Sequence, residues 1–195
     1  MNLGITGNPG VGKHTIAEKF SKEITELSCI IDINKIIINN KLFTRYKNGE
    51  QEIDLDEIKL ILRRKLQENY KKYEFIIVIG HLLPYVIDPK DIDFIIILRK
   101  SPYSLMDVFK ERKYSLKKSK ENVASEILGI CSYDTIKAFT DKKILGEIDT
   151  TSQTTHNVVQ KIIKLLKNKE KETVGEIDWF EVIYKKNDWK YFFEY

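Results

Sequence analysis

At 195 residues with 42% hydrophobic side chains, the chain is long enough for one α/β domain with a full core and short for two ordinary ones. Its 33 basic and 29 acidic residues leave a net charge of +4, too weak a field to argue by itself for nucleic-acid binding. No apolar run reaches the roughly 18 residues that a membrane-spanning helix needs, and Met1 is followed at once by a strand pattern; a membrane span and a secretory signal are not expected, and a cytoplasmic location is.

The short apolar run Asn2-Leu3-Gly4-Ile5-Thr6 reads as a buried strand, and Ile16-Ala17-Glu18-Lys19-Phe20 reads as the start of a helix. Between them lies Gly7-Asn8-Pro9-Gly10-Val11-Gly12-Lys13-His14-Thr15, with the spacing of a phosphate-binding loop in the strand-to-helix setting that the motif requires. Glycines let successive amides converge on phosphate oxygens, a helix N-terminus favours the anion, and Lys13 reaches the β and γ phosphates. His14 stands where the general motif has a Ser or Thr for magnesium, so Thr15 is the first hydroxyl available.

The first helix is expected to end near Ser28, and Cys29-Ile30-Ile31-Asp32-Ile33 to form a second strand covered on both faces. Periodicity leaves 34–42 open between a short helix and an extended segment. The polar stretch 43–52 reads as a mobile loop. Asp54 with Glu57 resembles a capping box for a helix over about 54–72, whose outer face carries Arg63 and Arg64 as solvated charges.

Phe75 to Ile79 is the clearest strand, ending at Gly80-His81; the next, Asp93 to Leu98, ends at Arg99. Carboxyl ends of strands face the ligand crevice of an open α/β sheet, which makes His81 and Arg99 candidate site residues. For His81 a structural role bonded to backbone is an equal reading. Ser101-Pro102 starts a helix that runs into the basic stretch 111–118, and Ser119 is expected to cap a long helix reaching Ala138. A basic hinge between two helices has the geometry of a lid. Lys143 to Asp149 gives a fifth strand, and Thr155 caps a last amphipathic helix.

Cys29 and Cys131, far apart and each inside an apolar stretch, read as buried thiols rather than a disulfide or metal site. After a charged linker, the tail crowds Trp179, Phe180, Tyr184, Trp189, Tyr191, Phe192, Phe193 and Tyr195 together. Packing on the domain or on a second copy is the simpler reading, and Lys185, Lys186 and Lys190 keep a base-stacking surface in view.

The loop from Gly7 to Thr15, the turn Gly80-His81-Leu82, Ile97-Leu98-Arg99, the segment from Arg112-Lys113-Tyr114 through Lys118, Glu121-Asn122 and Glu126-Ile127, and Glu147-Ile148-Asp149-Thr150-Thr151 together resemble the archaeal and eukaryotic adenylate kinases of the isoenzyme 6 type. That resemblance, over about residues 1–166, implies a three-layer α/β P-loop NTPase fold with a five-stranded parallel sheet in a kinase domain bounded at 1–168, and the aromatic composition of the tail sets off an appendage 169–195. The nucleoside monophosphate-binding region falls at about 31–54 and the lid at about 111–121. It implies ATP held by Gly10, Gly12, Lys13, His14 and Thr15, with Thr15 on Mg2+, directly or through water, and Arg112 closing from the lid. Lys13 and Arg112 are the catalytic pair. Arg45 is a candidate for the AMP site. Members of the family act as kinases for nucleoside monophosphates and as ATPases that help mature the small ribosomal subunit, so AMP, a ribosomal protein and rRNA enter as implied partners. A carboxylate that many members carry just before the histidine is replaced here by Ile79-Gly80, and neither Asp32 nor Asp93 can be assigned its place from sequence.

Three functions follow as expectations: an ATP:AMP phosphotransferase, an ATP-gated ribosome assembly factor, and a kinase for another small acceptor.

Overall fold

A computed structural model of the protein describes residues 1–45, 51–140, 143–168 and 171–193, with the backbone alone at 44, 45 and 51. In chain order the elements are β1 (Asn2–Thr6), α1 (Lys13–Glu23), β2 (Ser28–Asp32), α2 (Ile33–Asn39), β3 (Phe43–Arg45), β4 (Gln51–Ile53), α3 (Leu55–Tyr70), β5 (Phe75–Ile79), α4 (Leu83–Val86), β6 (Phe94–Arg99), α5 (Pro102–Glu111), α6 (Leu116–Ile127), α7 (Ile130–Ala138), β7 (Ile144–Asp149), α8 (Thr155–Asn168), α9 (Trp179–Lys185) and α10 (Trp189–Phe193). The main sheet runs β2-β5-β1-β6-β7 with every pairing parallel, as expected.

Strand side chains alternate between two apolar layers. Leu3, Ile5, Ile77, Ile79, Ile96 and Leu98 meet α1, α5, α6 and α8, whereas Ile76, Val78, Ile95 and Ile97 meet α2, α3 and α4. Both faces are therefore buried, which accounts for the nearly continuous isoleucine runs. The connection leaving β1 runs to β2 on one side, and that leaving β5 runs past β1 to β6 on the other. Such a reversal opens a crevice at the carboxyl ends of β1 and β5, where the glycine loop and Gly80-His81 begin.

Several boundaries differ from the sequence expectation for local reasons. The α1 helix stops at Glu23, because Ile24 turns extended ahead of β-branched Thr25. The ambiguous 34–42 stretch begins as helix, because the Asp32 carboxylate accepts the amides of Asn34 and Lys35 at 2.8 and 3.4 Å. The long helix expected from Ser119 is two: Ser115 caps α6, and Gly129, at φ 64°, separates it from α7. Thr154, rather than Thr155, accepts the Asn157 amide at the start of α8. The described part of the expected loop 43–52 is two strands, since β3 and β4 pair antiparallel; residues 46–50 lie outside the described residues.

The tail packs on the body of the same chain. Ile183 and Phe192 are fully buried, Phe192 meets Tyr103 edge-on at 5.2 Å, and the Tyr103 hydroxyl donates to Asp188 at 2.7 Å. Cys29 and Cys131 are both free thiols.

Candidate active site

The glycine loop is shaped by its backbone. Gly7, at φ 134°, lies so close to β6 that a Cβ would stand 2.2 Å from the Leu98 carbonyl oxygen, and Gly12, at φ 99°, turns the chain into α1 without a side-chain cap. Uncapped amides at the start of α1 therefore face the crevice, where the helix end favours an anion.

Lys13 folds back over this loop. Its Nζ donates to the carbonyls of Gly7 at 2.7 Å and Asn8 at 2.8 Å. Burial pushes its pKa down to about 8, although the Cys131 sulfur and the carboxylates of Glu126 and Asp32 pull the other way; the Arg112 charge adds to the depression. The ammonium is thus held at the floor of the crevice with acceptors that phosphate oxygens can replace.

Pro9, Gly10, Gly12, Lys13, His14 and Thr15 line an open cleft of about 390 Å³, and Arg112, Tyr114, Lys118, Asn122, Asn34 and His81 complete its lining. Arg112 ends α5 and is exposed, and Lys113 follows at φ 56°, so the basic stretch turns sharply. Tyr114 stacks on buried Phe109 at 5.3 Å and carries the Lys118 ammonium 4.7 Å above its ring, fixing the turn to the body. Desolvation, reinforced by Lys13, holds His81 down at about 4, and its buried Nδ1 has no partner among the described residues. The imidazole is therefore neutral at physiological pH. His14 lies 3.3 Å from Glu18 and 3.9 Å from Asp32.

One expected site residue stands elsewhere. Arg99 is 2% exposed and turned away from the crevice: Nε meets Glu126 and one terminal nitrogen meets Glu147, both at 2.7 Å. Its place at a strand end suggested a ligand contact, but two buried carboxylates neutralise it first. Arg45 ends β3, and its side chain lies outside the described residues.

From sequence Asn8 and Glu126 stand only inside longer motifs with no role of their own, and Asp32 stands level with Asp93. Asn8 and Glu126 join across the loop, with Asn8 Nδ2 donating to Glu126 at 2.7 Å. A glutamate within the Val123 and Ile127 stripe was the available signal. Asp32 ends β2 beside Ile79 and approaches His14, whereas the Asp93 carboxylate accepts the Asn2 amide at the opposite end of the sheet. The rule that favoured His81 also applies to Asp32, and position separates it from Asp93.

The chain is 36% identical over 182 residues to a protein of Saccharolobus islandicus named "Putative adenylate kinase", covering 92% of this chain and 87% of that one. It is 34% identical over 181 residues to a Methanocaldococcus jannaschii protein of the same name, covering 93% and 94%. The chain belongs to the archaeal adenylate kinase family. Residues 3–129 also match the family described as AAA domain, a span that holds the glycine loop, His81, Arg112 and Glu126. Shikimate kinase from Acinetobacter baumannii in complex with shikimate superposes with a TM-score of 0.60 at 13% identity, covering 86% of this chain and 93% of that one; the likeness is one of fold. Among the described residues of this adenylate kinase family member, no three His, Cys, Asp or Glu side chains cluster to cage a metal. Thr15 and Asp32 supply oxygen donors beside the loop, which fits magnesium carried largely by phosphate oxygens and water. No helix among the described residues is long and apolar enough to cross a membrane.

Proposed function

We propose that this protein is an adenylate kinase that transfers the γ-phosphoryl group of Mg-ATP to AMP, with room for related monophosphates, and that it hydrolyses ATP slowly when the acceptor is missing. The observation that carries the reading is the convergence of Lys13, the α1 amides and Arg112 on one cleft. Phosphoryl transfer needs chiefly positioned reactants and stabilised charge on the equatorial oxygens. In this reading Lys13 exchanges its two carbonyl partners for the β and γ phosphates, and Gly10, Gly12, His14 and Thr15 border the triphosphate. An AMP phosphate oxygen attacks the γ phosphorus in line, the bond to the β-bridging oxygen breaks, and two ADP leave.

Thr15 and Asp32 are the residues that would hold magnesium or its water, and the ion would supply positive charge to offset that of the phosphates. Arg112 reaches the developing charge from the lid turn and helps exclude water. Neutral His81 can hydrogen-bond a phosphoryl oxygen without repelling Lys13. In this reading the acceptor enters by α2 and the β3–β4 pair, and Arg45 is the residue proposed to meet AMP.

The test is ADP formation from ATP with AMP, dAMP, CMP or no acceptor, run beside Lys13→Ala. Stimulation by AMP that Lys13→Ala abolishes supports the reading. Turnover that AMP fails to stimulate points to another acceptor or to hydrolysis alone.

A second reading is favoured by the tail, where Phe180, Tyr184, Trp189 and Tyr191 stay exposed beside Lys185 and Lys190. There ATP turnover gates binding and release of a small-subunit ribosomal protein or rRNA. Co-purification with small-subunit components, lost in Tyr184→Ala/Tyr191→Ala while ATP binding persists, would favour it.

A further inference from the structure

The Glu126 carboxylate, 0% exposed, accepts four donors from three separate parts of the chain. One oxygen accepts Asn8 Nδ2 from the glycine loop at 2.7 Å. The other accepts Arg99 Nε at 2.7 Å, the Lys100 amide at 3.1 Å and the Trp179 indole N–H at 3.1 Å. The neighbouring Ser125 hydroxyl donates to Asn8 Oδ1 at 3.0 Å, so α6 grips both ends of the Asn8 amide. Asn8 in turn presents its carbonyl to Lys13.

We infer that Trp179, in the tail, is a positioning residue for ATP: its indole N–H helps orient the Glu126 carboxylate that fixes Asn8, and through Asn8 the glycine loop. The inference rests on the reading of this loop as the ATP site. A buried carboxylate is held in one rotamer by the donors that surround it, and loss of one lets the group rotate toward those that remain. Arg99 and the Lys100 amide both draw on the oxygen that Trp179 shares, on the side away from the loop. Without the indole N–H, Glu126 turns to optimise those two bonds, and its bond to Asn8 is the one that lengthens. Packing of the ring is a separate matter: Trp179 sits in the apolar layer with Ile183 and Phe192, and a phenyl ring keeps most of that contact.

The experiment is calorimetric titration of Mg-ATP into the full chain as wild type, Trp179→Phe, Asn8→Ala and the double variant, each well below its melting temperature. Wild-type binding tests the ATP site itself; if it is missing, the proposed function fails whatever Trp179 does. Given wild-type binding, Trp179→Phe is expected to raise Kd about five- to tenfold. Adding Asn8→Ala should bring little further loss beyond that of Asn8→Ala alone, because both act through one contact. Full affinity in Trp179→Phe, or losses that multiply in the double variant, would overturn the inference, and a lower melting temperature with unchanged Kd would make Trp179 purely structural. Should Trp179→Phe fail to fold, 3-benzothienylalanine at 179 keeps the bicyclic shape, removes the N–H and is read in the same way.

Discussion

Lys13 Nζ lies 2.7 Å from the carbonyl oxygen of Gly7, the residue that opens its own loop. A lysine that is half-buried and near pKa 8 binds a triphosphate best while it keeps its proton. ATP binding raises that pKa, because the phosphates favour the ammonium. The Kd for Mg-ATP is therefore expected to be flat from pH 6.5 to about 7.5 and to rise above pH 8, approaching tenfold per unit. Lys13→Arg, which stays charged, should flatten the upper limb; titrations at several pH values check both curves. The stability sign is separate: the folded state has the lower pKa, so buried Lys13 costs stability below pH 8, and that cost fades as pH rises from about 8 towards 10.5.

Arg112 is exposed at the end of α5 and borders the cleft. Arg112→Ala is expected to lower kcat by roughly 10³-fold with the melting temperature unchanged, since a charge that arrives only on closure acts on the transition state. Steady-state kinetics with thermal melts would show it. A variant with normal kcat would remove Arg112 from the chemistry.

Arg99 answers to a different measurement. Arg99→Met leaves the carboxylates of Glu126 and Glu147 buried without their cation, and a loss of about 3–5 kcal/mol in urea unfolding is expected. Arg99→Lys should recover only part, because one ammonium cannot reproduce the guanidinium fork on both acids. A change under about 1 kcal/mol would contradict the ion-pair account.

His81 gives an acid limb. Its folded pKa of about 4 lies below the ordinary 6.5, so the unfolded chain binds the extra proton between those values. The contribution is present above pH 6.5 and is lost as pH falls towards 4. Melting temperatures of His81→Asn should fall less over that window than those of the wild type; parallel curves would show that His81 does not titrate this way.

The sheet was legible because every strand of it carries a run of apolar residues, and the glycine loop because its spacing has few structural alternatives. The Arg99 and Glu126 network was not. Strand position says that a side chain stands near the crevice, but only tertiary packing decides whether it points in or is neutralised by acids some 27 and 48 positions away. The split at Gly129 was missed because the apolar stripe continues across it, and the backbone there is left-handed. The tail packs as its aromatic content suggested, yet the bond from Trp179 to Glu126 joins residues 53 apart, which no local pattern announces.

On the proposed function, Lys13 and the loop around it hold a nucleoside triphosphate. Calorimetric titration of the full chain with Mg-ATP at pH 7, beside Lys13→Ala of matched melting temperature, tests it most directly. The account predicts saturable one-to-one binding by the wild type and affinity at least about 100-fold weaker in Lys13→Ala. Equal affinity in the two proteins, or no binding by the wild type, would contradict it.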